Sequence, residues 1–227
     1  MFKLALLTAA SVLALSGSVM AADLAVPPAA AAVAPAAAST WDGPYVGVFG
    51  GYGWGTANVD PTSVGTPQTS YSTSGFLLGV QGGYNFHLSD AIVAGVSADL
   101  AWDNGSGNAT IGKATVSSQY NWTGSVTGRI GYDAGSFVPY VLAGVAFLNN
   151  TATVTDAGLT GTGSATHTGY TVGAGVEFLL ADNLSADIEY RYSNYGSQNY
   201  TSSTFPGASI PATLSDNQIR IGLNYHF

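Results

Sequence analysis

Polar and apolar residues alternate strictly over the last ten positions of the chain, which is the period of a β-strand. The apolar face consists of Ile219, Ile221, Leu223, Tyr225 and Phe227. The other face carries Arg220 and His226 among glutamine, glycine and asparagine. A terminal strand of this kind needs an apolar environment on one side and water or polar partners on the other.

The same alternation recurs along the chain and predicts eight strands after position 40. They cover residues 44–54, 76–88, 94–103, 121–132, 137–148, 171–180, 184–192 and 218–227. The segment 137–148 is apolar on both faces, so the pattern does not fix its orientation. In the glycine-rich first strand, the pattern favours an outward face made of Val46, Val48, Tyr52 and Trp54.

The connections between these strands alternate in length. Short turns fall at 89–90, 134–135 and 182–183, and long polar loops are predicted at 58–74, 104–118, 149–168 and 194–215. Loops of that length are unusual in a compact soluble domain. Eight antiparallel strands with both ends on one side of a membrane need three turns there and four loops opposite. The long segments are therefore predicted to be extracellular loops, and they are the candidate contacts for host molecules or ligands.

The amino terminus has the features of an export signal. Lys3 is followed by an apolar stretch at 4–15, which is too short to span a bilayer, and small residues follow it. We expect a signal peptide at 1–21, with cleavage after Ala21 or, alternatively, after Ala22. The Ala/Pro-rich segment 22–40 is predicted to be a periplasmic leader, and 41–227 to be the folded domain.

Composition then decides between a soluble and a membrane protein. Charged residues are 8% of the chain, against about 25% in soluble domains, yet no later run approaches the ~20 apolar residues of a membrane helix. This combination predicts an all-β fold, an eight-stranded antiparallel transmembrane β-barrel with short periplasmic turns. Removing Lys3 takes the net charge from −8 to −9, which argues against nucleic acid as a partner. The absence of cysteine excludes disulfides and thiol chemistry.

The charged residues lie on one side of the predicted strands. The outward faces of the strands whose orientation is clear carry no Asp, Glu, Lys or Arg. Buried charges need partners, so the pattern predicts an interior ion-pair network of Asp99, Arg129, Glu177, Asp187, Glu189, Arg191 and Arg220. Such a network favours a plugged barrel, because eight strands enclose just enough space for side chains to fill. A small-solute pore through the same residues is the alternative.

Three runs resemble a known family: 41–47 (WDGPYVG), 173–178 (GAGVEF) and 187–192 (DIEYRY). They are similar to the small outer-membrane barrels of alphaproteobacteria, the outer-membrane immunogenic protein group related to the OmpA transmembrane domain. The resemblance covers 41–227. It implies a surface antigen with a structural role in the cell envelope, surrounded by outer-membrane lipid and lipopolysaccharide. It also implies that Leu223, Tyr225 and Phe227 form the signal read by the barrel assembly machinery.

The sequence leaves two further functions open. Because some members of the resembled group are implicated in haem acquisition, a haem- or ligand-binding surface receptor is an alternative, with His167 as the only axial ligand near the loop end. Catalysis at a barrel rim would need His with Ser or Asp, and only His167 with Asp156 could supply it. The run 103–105 has only a faint likeness to a calcium loop. We therefore expect no enzyme activity, no cofactor and no metal.

Overall fold

The computed structural model describes residues 40–59, 68–111, 114–156, 158–202 and 205–227. All the secondary-structure elements in these ranges are β-strands. The strands are β1 (Gly43–Val59), β2 (Thr69–Ser89), β3 (Ile92–Asp103), β4 (Ser106–Ile111), β5 (Ala114–Tyr132), β6 (Phe137–Asp156), β7 (Leu159–Ala181), β8 (Leu184–Ser202) and β9 (Phe205–His226). No helix among the described residues is both long and apolar enough to cross a membrane.

The strands form one closed antiparallel sheet. Consecutive strands pair with each other except β3 and β4, and β1 pairs with both β2 and β9, which closes the ring. β3 and β4 both pair with β5, one above the other, and so act as a single interrupted strand. The path around the wall therefore has eight strands. The predicted eight-stranded antiparallel barrel is confirmed.

The interruption between β3 and β4 has a local cause. The Asn104 side-chain oxygen accepts a hydrogen bond from the backbone N–H of Phe76 at 2.8 Å, in place of a backbone carbonyl. Asp103 accepts from the N–H of Gly105, also at 2.8 Å. A Cβ atom on Gly105 would lie 2.7 Å from the Tyr120 ring, so glycine is needed there. The run 103–105 is thus a strand break held by its own side chains.

The outward faces agree with the predicted ones. In the first strand, Val46, Val48, Tyr52 and Trp54 are all exposed, as expected. The exposed apolar residues elsewhere include Phe76, Leu78, Val96, Leu100, Trp102, Val126, Ile130, Val172, Phe178, Ile188, Ile219, Ile221 and Leu223. The orientation that the sequence left open in β6 is now fixed, since Val141 and Val145 face outward.

The predicted loop boundaries are wrong. The ladder between β6 and β7 runs without interruption from Phe137–Phe178 to Asp156–Leu159, so almost all of 149–168 is strand. Strand residues likewise occupy much of 58–74, 104–118 and 194–215. The backbone pairing continues because alternate residues there are Thr and Ser, which fit a pleated surface well. The barrel wall extends far beyond its apolar portion.

We call the end with the three short turns and the last residue Phe227 the lower rim, and the opposite end the upper rim. Near the upper rim, a register shift between Tyr120 and Trp122 turns Tyr120 inward. A second shift between Asn194 and Ser197 contains Gly196 at φ 64°, a conformation that favours glycine. The inward-turned side chains form an apolar cluster of Ala57, Tyr120, Ala146, Leu148, Tyr195 and Leu214.

The residues that precede β1 form a cap at the lower rim. Trp41 is buried against Val93 and Val138, and its indole Nε1 donates to the carbonyl of Gly135 at 3.1 Å. Beside it, His87 lies 2.7 Å from a carboxylate oxygen of Asp42. The sequence pattern gave no role to this cap, because Trp41 and Asp42 stand before the first alternating segment.

Candidate functional site

The arginine ion pairs of the barrel interior form two separate clusters. We call them the lower cluster (Arg129 and Glu177) and the middle cluster (Asp99, Glu189, Arg191 and Arg220). Each cluster has equal numbers of formal positive and negative charges. Inward-facing positions of β3, β5, β7, β8 and β9 supply these side chains.

The lower cluster joins two strands that are not neighbours. The Arg129 guanidinium of β5 lies 2.8 Å from a carboxylate oxygen of Glu177 on β7, across the intervening β6. Glu177 is 0% exposed, and its other oxygen accepts hydrogen bonds from Ser185 at 2.6 Å and Asn224 at 3.0 Å. Arg129 also donates to the side-chain oxygen of Asn85 at 3.0 Å. Both buried charges are therefore well supplied with partners.

The middle cluster is centred on Asp99. One of its carboxylate oxygens lies 2.8 Å from Arg191, and the other lies 3.0 Å from Arg220. Arg191 also pairs with Glu189 at 2.8 Å, and the Tyr140 hydroxyl donates to Glu189 at 3.0 Å. The contacts link β3, β6, β8 and β9 across the lumen.

An aromatic ring completes the surroundings of Arg220. The Arg220 guanidinium carbon lies 3.9 Å from the centroid of the Phe49 ring, a cation–π distance. A cavity of about 10 Å³ lies beside the middle cluster, lined in part by Thr123, Tyr195 and Gln218. That volume is about the smallest that admits one water molecule.

Asp187, the remaining residue of the predicted network, has amide partners. The side-chain nitrogen of Asn224 donates to it at 2.9 Å, and that of Gln81 lies 3.4 Å away. Among the described residues, no arginine lies within 4.0 Å of its carboxylate. Asp187 therefore lies inside the barrel but outside both clusters of ion pairs.

A third group of polar side chains lies nearer the upper rim, and its residues are not members of the predicted network. Gln218 donates to the buried carboxylate of Asp216 at 2.7 Å. Tyr120 and Thr73 share a hydrogen bond of 3.0 Å between their hydroxyl oxygens. The alternation of the predicted strand 218–227, continued two residues towards the amino terminus, places Asp216 on the inward face. The alternation does not predict that Tyr120 points inward. The register shift between Tyr120 and Trp122 exchanges the inward and outward positions of β5 above Trp122.

His167 does not lie on an exposed loop, as the haem and rim-catalysis hypotheses required. It is 0% exposed and occupies an inward position of β7 opposite Leu148. Asp156 pairs with Leu159, eight ladder steps further up the same hairpin. At about 3.3 Å per residue, roughly 26 Å separates the two positions along the strand. The fold therefore does not bring this pair together.

The residues of the predicted assembly signal lie outside the interior. Leu223, Tyr225 and Phe227 point outward at the lower rim, and Phe227 is 69% exposed. The candidate cleavage residues Ala21 and Ala22, with the signal at 1–21 and most of the leader at 22–40, lie outside the described residues. Within the part of the chain that the structure describes, no group of three or more His, Asp or Glu side chains is arranged to hold a metal ion.

Comparison with known proteins gives consistent matches. The chain matches the outer membrane protein beta-barrel domain over residues 5–227. It is 34% identical to the 25 kDa outer-membrane immunogenic protein of Brucella canis over 192 residues, 83% of this chain and 80% of that protein. It is also 34% identical to the 22 kDa outer membrane protein of Rhizobium leguminosarum bv. viciae over 188 residues, 83% of this chain and 79% of that one.

Among solved structures, the outer membrane protein OprG from Pseudomonas aeruginosa has the same barrel fold. The TM-score is 0.51 at 15% identity, and the match covers 83% of this chain and 99% of OprG.

Proposed function

The chain belongs to the outer membrane protein β-barrel family, and we propose that it is a closed barrel with a structural and surface role in the cell envelope. The protein is an integral β-barrel of the outer membrane. The proposal concerns its interior, which on this view is plugged by its own ion pairs and conducts no solutes at rest.

The observation that carries the proposal is the pairing of every arginine in the described interior across the lumen. Asp99 bridges Arg191 and Arg220, and Arg129 reaches Glu177 over an intervening strand. Separating a buried pair leaves an uncompensated charge, which costs about 3–5 kcal/mol. An open path through both clusters would require several such separations at once.

Planar-bilayer conductance of the refolded protein tests this proposal. The wild-type barrel is expected to give no steady single-channel current. The double variant Glu189→Ala, Arg191→Ala removes one charge of each sign from the middle cluster and leaves Asp99 paired with Arg220 at 3.0 Å. It is expected to conduct, because two large side chains leave the lumen while the remaining charges stay balanced.

The matched control is Ile188→Ala, Tyr190→Ala, which removes the interleaved outward residues of the same strand. This variant is expected to stay closed, and heat-modifiable gel migration would verify that both variants are folded. A wild-type current as large as that of the interior variant would overturn the plug and favour a small-solute pore.

The surface role rests on the upper part of the barrel, where the strands continue beyond the apolar wall. The Brucella canis relative is named an outer-membrane immunogenic protein, and we assign to this chain the same exposure to the exterior. Protease or antibody access to intact cells, directed at an epitope tag inserted at 157–158, would test it. Signal from a tag placed at 134–135 in the same assay would contradict the proposed orientation.

The Brucella canis relative is named an outer-membrane immunogenic protein and the Rhizobium leguminosarum relative an outer membrane protein, and neither carries an enzyme name. We propose that this chain has no catalytic activity either. Burial of His167 and the long separation from Asp156 support this view. The same burial argues against a surface haem site, and titrating the refolded barrel with haem should leave the Soret band unshifted.

We further propose that 1–21 is removed on export and that 22–40 remains in the periplasm. The apolar stretch after Lys3 and the small residues at Ala21 and Ala22 support this assignment. The intact mass of the protein purified from outer membranes would show which of the two bonds is cut. A mass that includes residues 1–21 would contradict it.

A further inference from the structure

The outward face of the barrel changes character abruptly above a set of aromatic side chains. On β7, the outward residues from Leu180 up to Tyr170 are apolar or aromatic over ten positions. At about 2.5 Å of height per residue in a tilted strand, this stretch is roughly 25 Å tall. That is the height of the lipid-facing band of outer-membrane barrels. Tyr170 therefore marks the upper edge of the hydrocarbon region.

Above this edge, every outward residue of β7 is a hydroxyl residue. The outward positions are Thr160, Thr162, Ser164, Thr166 and Thr168. The same holds on β1, β2, β4, β5, β6 and β9. Only Ser, Thr, Asn or Gln occupies every second position of 56–58, 70–74, 104–110, 115–119, 149–155 and 213–217. We call this outward surface the neutral sleeve. It carries no charged side chain among the described residues.

A concave region lies within the sleeve. A cleft of about 490 Å³ is lined by Ser72, Ser106, Asn108, Ser117 and Gln119, with Gly107 and Ser118. It lies where β2 and β4 share a single ladder pair, Ser74 with Ser106. Its volume falls in the range of small-ligand sites, about 300–1,000 Å³.

The chemistry of the lining restricts what can bind there. Hydroxyl and amide groups both donate and accept hydrogen bonds, and they match the repeated hydroxyls of a sugar. Phosphate binding would call for Arg or Lys, and divalent cations would call for carboxylates. The lining has neither, and it has no aromatic or large aliphatic wall for an apolar ligand.

The height of the cleft indicates the source of the sugar. Ser106 stands four residues above Trp102, which is exposed at the upper aromatic edge. This corresponds to roughly 10 Å, just beyond the hydrocarbon boundary and continuous with the lipid-facing wall. The headgroups of the surrounding outer leaflet occupy that zone.

We infer that the cleft between β2 and β4 binds the saccharide headgroup of an outer-leaflet glycolipid through neutral hydrogen bonds, without phosphate or metal bridging. The inference rests on residence in the outer membrane and is independent of whether the lumen is plugged. A conducting barrel would leave it unchanged.

The test compares thermal unfolding of the refolded barrel in three kinds of vesicle. The vesicles contain phosphatidylcholine alone, with lipid A, or with lipopolysaccharide that carries core sugars. The sugar-bearing lipid is expected to raise the midpoint above the lipid A value, and the rise is expected to persist in EDTA and high salt. A rise equal to that with lipid A, or one abolished by EDTA, would overturn the inference in favour of phosphate or cation contacts.

Two variants locate the effect. Ser106→Ala, Asn108→Ala, Gln119→Ala is expected to lose most of the sugar-dependent rise while unfolding normally in phosphatidylcholine alone. The control Thr160→Ala, Thr162→Ala, Ser164→Ala makes equivalent changes at the far end of β7 and should keep the rise. If the cleft variant does not fold, Asn108→Ala alone serves and should lose part of the rise. If a folded cleft variant kept the full sugar-dependent rise of its unfolding temperature, the proposed site would be refuted.

Discussion

Arg129 and Glu177 form an ion pair of 2.8 Å that connects β5 to β7 over the strand between them. The pair is nearly inaccessible to solvent, with Glu177 fully buried. Because the two strands share no backbone hydrogen bonds, this contact ties the wall together across the lumen. Its energy depends on both members, since either one alone would be a buried charge without a counter-ion.

Glu177→Gln is expected to destabilise the barrel by about 3–5 kcal/mol, because it leaves the buried Arg129 guanidinium uncompensated. The free energy of unfolding would be measured by urea titration in detergent micelles, with tryptophan fluorescence as the signal. The lipid-facing substitution Val172→Ala on the same strand provides the control.

The double variant Arg129→Met, Glu177→Leu distinguishes the effect of the charges on stability from the effect of side-chain volume. Replacing a whole buried pair with apolar residues is often neutral or stabilising. We therefore expect the double variant to be more stable than Glu177→Gln. If Glu177→Gln unfolds at the same urea concentration as Val172→Ala, the pair makes no contribution to stability.

A second prediction concerns the lipid-facing wall. Val126 points outward about halfway between the aromatic residues Trp122 and Tyr132. Val126→Arg is expected to cost about 2–4 kcal/mol, the price of a basic side chain at the bilayer midplane. The measurement is reversible urea unfolding in phosphatidylcholine vesicles.

Thr166→Arg is the matched substitution above the hydrocarbon region. It should cost at most about 1 kcal/mol, because the penalty falls towards the interface. If Thr166→Arg and Val126→Arg lowered the free energy of unfolding equally, the assigned membrane boundary would be contradicted.

The sequence predicted the membrane-spanning part of the fold well, for a physical reason that β7 illustrates. Lipid contacts one face and packed polar groups contact the other, so apolar residues from Val172 to Leu180 recur at every second position. Above Tyr170 the outward residues are Thr and Ser, so the apolar period on that face disappears. Thr or Ser still alternates with small residues at 160–166, but without an apolar face this composition is equally typical of a polar loop.

The interior site was predictable only in part. Parity along a strand places Asp187 and Glu189 on the same inward face, two residues apart. It cannot tell which of them meets an arginine, because that depends on the shear of the barrel and on how far side chains reach across it. In the structure Glu189 pairs with Arg191, whereas Asp187 contacts Asn224 and Gln81.

Hydrogen exchange would test the long upper hairpin directly. The backbone ladder from Asn149–Thr166 to Asp156–Leu159 should protect its amides, because they are bonded between strands. Peptides covering 149–156 and 159–168 are expected to exchange at least about tenfold more slowly than the turn at 133–136. Mass spectrometry of the protein in micelles would measure both. Equal exchange rates would restore the original expectation of a loop at 149–168.

The carboxy-terminal aromatic residue provides the last prediction, which concerns biogenesis. Phe227 is 69% exposed, and its ring contacts that of Tyr225 at a centroid distance of 5.2 Å. Its backbone N–H donates to the carbonyl of Pro44, a bond that Phe227→Ala would keep. We therefore expect Phe227→Ala to refold normally in micelles but to lower the folded protein in cell membranes severalfold. The control is Phe86→Ala, another exposed aromatic at the lower rim. If the amount of folded Phe86→Ala protein in cell membranes falls equally, or if Phe227→Ala fails to refold in vitro, Phe227 acts through stability rather than as an assembly signal.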